Sequence, residues 1–161
     1  MSASLTVQSS AFVQGRAIPR RHTGDGEDLS PPLTWSSLPP GTRELAMIVD
    51  DPDAPSAEPW VHWVIYGIPV APAEVAEGVH QKERPPFPAG ATQGVNSWGT
   101  IGYRGPAPPR GHGVHHYRFT LHALDTPLGL RASLDKRGLL EGIAGHVLAE
   151  GQLVGTYERP R

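Results

Sequence analysis

ELAMIVDDPDAP at residues 44–55, followed by WVHWVIYGI at residues 60–68, decides the fold. Glu44–Val49 is apolar on both faces, the pattern of a strand covered on both sides of a sheet. It runs into Asp50-Asp51-Pro52-Asp53-Ala54-Pro55, where two prolines in four residues force a turn and forbid continued strand or helix. Trp60–Ile68 then reads as a second buried strand, with one histidine, His62, inside an otherwise apolar run.

Working outward, HHYRFTLHA at His115–Ala123 is a third strand. Its alternation sends His115, Tyr117, Phe119 and Leu121 one way and His116, Arg118, Thr120 and His122 the other. Leu5–Phe12, Leu33–Leu38 and Gln152–Glu158 are further strand candidates, and Ala73–Gly78 offers at most one or two helical turns. Ser133–Ala149 is the only good helix, with Ser133 as its N-cap and Gly138, Gly142 and Gly145 weakening it. Ile18–Leu33 and Gln81–Gly113 read as irregular surface segments. The expected fold is therefore mostly β, antiparallel-rich, with one C-terminal helix.

Composition agrees. The 19 glycines and 18 prolines sit between apolar runs, as in a turn-rich β protein. A chain of 161 residues fits one domain, residues 1–161. Without cysteine it has no disulfide framework, thiolate metal site or thiol nucleophile, which fits a reducing cytoplasm. A net charge of −2 argues against a nucleic-acid surface. No apolar run approaches the ~20 residues of a membrane-spanning helix, so no stable membrane insertion is expected. The start, MSASLTVQSS, lacks the basic and apolar regions of a secretory signal.

Chemistry gathers at the strand ends. Asp51 and Asp53 follow the first buried strand, His62 lies in the second, and His115 and Tyr117 occupy the apolar face of the third. Each alone reads as structural: an Asp before proline caps a turn, and a core histidine or tyrosine satisfies itself. Together they point to a pocket, because buried polar groups need partners close by. Asp51 can fix the tautomer of one histidine, whose outward nitrogen then faces a ligand. The glycine-flanked loop Gly105–Gly113 adds backbone N–H groups able to turn toward an anion, and its prolines stiffen the wall.

At these residues the chain resembles the phosphatidylethanolamine-binding protein family, also called Raf kinase inhibitor-like proteins, in its compact bacterial form. DPDAPS at Asp51–Ser56, with Trp60 and His62, matches the first family motif. Tyr103-Arg104-Gly105-Pro106-Ala107-Pro108-Pro109, Gly111 and His115-His116-Tyr117 match the second. SPPLTW at residues 30–35, LHALD at residues 121–125 and GHVLAEGQLVGTYER at residues 145–159 follow in family order.

The resemblance implies a central antiparallel sheet flanked by a smaller one. It implies a pocket for phosphate-like anions built from Asp51, His62, Pro108, Pro109, His115 and Tyr117, with Tyr103 at the rim. It also implies a kinase-inhibitor style of partner regulation and a homodimer, for which Phe87 and Trp98 are candidate aromatic anchors. His116 stands where the family has an arginine, and Asn96-Ser97-Trp98-Gly99 replaces the usual NDFG.

Two classes of function fit. The first is a small-anion or phospho-ligand binding protein, with no cofactor and no metal. The second is an acid–base or metal-dependent hydrolase using Asp51, Asp53, His62, His112, His115 and His116. Alternation separates His115 from His116, and no G-x-S-x-G, HExxH or cysteine nucleophile is present, so binding is the expected role rather than catalysis.

Overall fold

In the computed structural model, which describes residues 5–161, strands β3 (Glu44–Asp51) and β4 (Trp60–Ile68) pair antiparallel at the centre of a five-stranded sheet. β7 (His115–Leu124) lies against the other side of β3, and β8 (Val147–Tyr157) pairs with β7. Two-residue β6 (Thr92–Gln93) closes the far edge, giving the order β6-β4-β3-β7-β8. A second antiparallel sheet consists of β1 (Thr6–Gln8), β2 (Leu33–Ser36) and β5 (Glu74–Val75) in the order β1-β2-β5.

The two faces of the large sheet have different jobs. One face packs Leu45, Met47, Val49, Trp63, Ile65, Phe119 and Leu121 against Val7, Leu33, Trp35 and Val75 of the small sheet. The other packs Ala46, Ile48, Val64 and Tyr66 against Leu139 and Ile143 of α1 (Lys136–Ile143). Both faces of β3 are therefore apolar because both are covered, which is why its sequence shows no alternation.

Two irregularities in the β3–β4 pairing matter. Between the pairs Val49–Trp63 and Asp50–Val61, β3 advances one residue and β4 two, so His62 is the extra residue of a β-bulge. A second bulge lies between Leu45–Ile68 and Met47–Ile65, where Gly67 takes the left-handed backbone (φ 66°) that a side chain would resist.

The C-terminal helix is shorter than the expected Ser133–Ala149. Asp135, not Ser133, caps it, its Oδ1 accepting from Gly138 N–H at 2.8 Å, while Ser133 is itself left-handed (φ 65°). The helix ends at Ile143, Gly145 turns the chain, and Val147 starts β8, which pairs with β7 along its whole length. Sheet hydrogen bonding thus takes residues 147–149 from the expected helix and extends the last strand beyond Gln152–Glu158. Ala73–Gly78, expected as a helical turn, instead contributes β5.

Candidate functional site

Because β3 runs antiparallel to both neighbours, its C-terminal end meets the N-terminal ends of β4 and β7. Asp51 pairs with Trp60 there, and Asp50 lies opposite Arg118. Alternation sends the two adjacent aspartates to opposite faces. Asp50 turns toward the α1 side, where Arg118 (2.8 and 2.9 Å) and Lys136 (2.7 Å) hold its carboxylate; despite its burial, these partners keep its pKa below the ordinary value. Asp51 turns the other way, into a cavity of about 290 Å3.

That cavity is lined by Asp51, His62, Pro108, Pro109, His115 and Tyr117, together with Trp60 and Trp98. The bulge explains His62. In regular pairing it would point away from Trp63, but the extra residue lets both face the same side, Trp63 into the core and His62 into the cavity.

Asp51 serves two masters. Its Oδ1 accepts from Asp53 N–H at 2.8 Å, closing the turn expected of an aspartate before proline. Its Oδ2 accepts from His115 Nδ1 at 2.6 Å, and both partners are buried. His115 Nε2 in turn lies 2.6 Å from Nδ1 of exposed His112. The carboxylate can only accept, so neutral His115 carries its proton on Nδ1 and receives one from His112. An Asp51–His115–His112 chain thus runs from the buried site to solvent.

His62 is 3 % exposed and its Nδ1 lies 2.6 Å from the Arg104 carbonyl. Arg104 N–H returns a bond to the His62 carbonyl at 3.0 Å. Nδ1 therefore carries the proton, and Nε2 keeps its lone pair at the cavity wall. Burial drives its pKa down to about 4, against smaller upward pulls from the Arg104 carbonyl and Asp51. Tyr117 meets the edge of His62 with ring centroids 5.1 Å apart. Burial first, then Asp51, raises its pKa, so its hydroxyl stays a hydrogen-bond donor.

The aromatic wall is a connected set of edge-to-face contacts. Trp98 meets Trp60 and His62 edge-on (5.5 and 4.9 Å), and the Arg104 guanidinium lies 4.6 Å over its ring. Asn96 orders this loop: its Oδ1 accepts from Trp98 N–H and from Thr100, and its Nδ2 donates to the Gly102 carbonyl. Ser97 Oγ accepts from Val61 N–H at 2.7 Å, fixing the loop to β4. The Asn-Ser-Trp-Gly sequence did signal an unusual rim, but not that its asparagine is the organiser.

Two expectations need correction. Tyr103 is not at the rim: it is fully buried, meets Trp63 edge-on (5.6 Å) and donates its hydroxyl to the His22 carbonyl at 2.6 Å. The loop amides proposed for an anion are partly committed, since Gly105 N–H binds Asp28, Gly111 N–H the Arg159 carbonyl and His112 N–H the Pro109 carbonyl. Trp98 and Phe87, the candidate dimer anchors, are half-buried, Phe87 packing on the core. His116 points outward, where Asp53 Oδ2 accepts from both its N–H and its Nδ1 at 2.8 Å.

The sequence pattern described as phosphatidylethanolamine-binding protein matches residues 8–158. The chain belongs to that family. A Methanothermobacter thermautotrophicus protein of the UPF0098 group is 47% identical over 155 residues, spanning 96% of this chain and 99% of the relative. The Mycobacterium tuberculosis protein LppC, which carries a lipoprotein name, is 42% identical over 96% of this chain and 72% of its own. Among solved structures, Escherichia coli YbcL, described as a member of the mammalian family, superimposes with a TM-score of 0.89 at 31% identity, over 97% of this chain and 99% of its own. The mostly-β fold, with its two antiparallel sheets and helix α1, matches that of this family structure. Among the described residues no helix is long and apolar enough to cross a membrane.

Proposed function

We propose that this member of the family holds a small phosphate- or carboxylate-like anion in the cavity at the end of β3. The observation that carries the reading is the buried Asp51–His115 pair beside the Tyr117 hydroxyl, inside walls of Trp60, Trp98, Pro108 and Pro109. The Tyr117 phenol is a hydrogen-bond donor in this small space, where charge-assisted bonds are strongest, and His115 donates to the anion as well only as an imidazolium, with Nδ1–H on Asp51 and Nε2–H toward the ligand. No lysine or arginine lines the cavity, so the anion would be held by directed donors rather than by bulk charge.

The hydrolase reading has less support. Ser56, the one cavity hydroxyl other than Tyr117, donates to the Glu58 carbonyl at 2.6 Å and has no base beside it in that arrangement. The catalytic members of such sites must also converge, and His116 and Asp53 lie outside the cavity.

Calorimetric titration with inorganic phosphate tests the proposal. Millimolar or tighter binding, weakened at least tenfold in Tyr117→Phe and His115→Ala, is the expected result. Absence of binding to the wild-type protein would sink it. Regulation of a partner protein, a cytoplasmic location and a homodimer belong to the same proposal. Light scattering at tens of micromolar checks the dimer, and a monomer mass ends that part.

A further inference from the structure

One wall of the cavity has the wrong polarity for a fully ionised anion. His62 spends its only proton on the Arg104 carbonyl, 2.6 Å from Nδ1, and Arg104 N–H locks the same two residues together from the other direction. What His62 shows the cavity is therefore Nε2 with its lone pair, an acceptor. The ring is not free to exchange roles, being wedged edge-on between Trp98 (4.9 Å) and Tyr117 (5.1 Å) and buried. The Tyr117 hydroxyl in the same cavity is a donor, whereas neutral His115 spends its proton on Asp51, so the cavity offers one donor and one acceptor side by side.

Resting on the anion-binding reading above, we infer that His62 selects for ligands that carry an acidic proton. The class is a hydrogen phosphate, a phosphate monoester in its monoanionic form, or a comparable oxyacid with one O–H left. Such a ligand donates its O–H to His62 Nε2 and accepts from the Tyr117 hydroxyl with another oxygen. Sulfate and other fully deprotonated tetrahedral anions place an oxygen lone pair against the nitrogen lone pair. The penalty is a lost hydrogen bond together with a buried acceptor left unpaired.

The alternative way to bind sulfate is to protonate His62. Burial works against that, and the carboxylates of Asp51 and Asp50 pull weakly the other way. The remaining groups around the ring are His115 and Tyr117 from β7 and the Arg104 guanidinium over Trp98. Of these, Arg104 opposes a new positive charge. The selection is chemical rather than steric, because phosphate and sulfate have the same shape. It also runs against charge, since sulfate is the more negative of the two near pH 6.

Competitive binding of inorganic phosphate and sulfate at pH 6 decides the matter, with calorimetry as the readout. Phosphate binding at least about tenfold tighter than sulfate is expected. Sulfate affinity should then climb as the pH falls toward 4, by up to roughly tenfold per unit, as His62 becomes protonated. In His62→Gln the side-chain amide can turn to donate or to accept, so the preference should shrink to within about threefold. Tyr117→Phe removes a donor common to both anions and should weaken both while preserving their ratio. Equal binding of both anions by the wild-type protein overturns the inference while leaving anion binding intact. A preference that persists unchanged in His62→Gln overturns it too, by showing that another group reads the proton. Binding of neither anion removes the anion site itself, a distinct result.

Discussion

His62 should make the ligand-free protein lose stability in mild acid, and the size of the loss follows from its surroundings. Its pKa in the folded chain is about 4, whereas an unfolded histidine titrates near ~6.5. A histidine lowered on folding adds stability that is complete above the unfolded value and is lost as pH falls through the interval between the two. The interval here is pH 6.5 to 4. Integrated over the two-state titration, the change between pH 7 and pH 5 is about 2 kcal/mol. The slope cannot exceed ~1.4 kcal/mol per pH unit. Urea unfolding of the wild type and of His62→Asn at both pH values isolates the contribution. The asparagine amide keeps a donor for the Arg104 carbonyl but does not titrate. Depressed carboxylates such as Asp50 and Asp53 lose their contribution only below the ordinary carboxylate range, outside this window. Buried His122, also lowered by burial, acts within the window but equally in both proteins, so it subtracts. The wild type should lose about 2 kcal/mol more than the variant. Equal losses, within about 0.5 kcal/mol, would refute the neutral, buried state assigned to His62 and the ligand selectivity built on it.

The two aspartates at the end of β3 should separate in their effects. Asp51→Asn should weaken phosphate binding at least tenfold, whereas Asp50→Asn, which loses Arg118 and Lys136 on the opposite face, should lower the unfolding midpoint and leave binding within twofold. Gly94→Ala should cost about 2 kcal/mol in denaturant titration, because its Cβ would collide with the Leu134 carbonyl oxygen and push away the segment leading into α1.

The central strands were legible because a continuous apolar run bounded by prolines has few other readings. β4 was read to the residue, and β3 and β7 were extended by one or two residues. The end of the helix was not legible: Val147-Leu148-Ala149 suits either helix or strand, and only β7, more than twenty residues earlier, decides between them. Three of the pocket residues follow from alternation and strand ends, namely Asp51, His115 and Tyr117, whereas His62 reaches the pocket through the bulge. Tyr103 could not be placed the same way. Its hydroxyl partner is the His22 carbonyl, 81 residues distant, and only the folded path of the segment around residues 20–30 puts it there. The proton on His62 was hidden for a related reason, since the carbonyl that fixes it belongs to a loop residue 42 positions on.

The bulge at His62 ties fold to site. Without the extra residue, strict alternation in β4 would put His62 on the α1 face beside Asp50, where Arg118 and Lys136 already stand. A charged network would then have absorbed it. With the bulge, β4 turns two consecutive side chains to the same face, a tryptophan that anchors the core through Gln93 and a histidine that reaches the cavity. The pairing resumes on both sides, so the sheet loses little while the site gains its acceptor. The ordering loop supports this locally: Ser97 takes the Val61 N–H at 2.7 Å, and Arg104 bonds His62 through both its N–H and its carbonyl. Deleting one residue from 61–62 should therefore do more than shorten a strand. It should rotate the start of β4 by one position and remove phosphate binding while β3, β7 and β8 remain protected in hydrogen exchange. Protection lost across all three strands would show instead that the bulge is needed for the sheet itself.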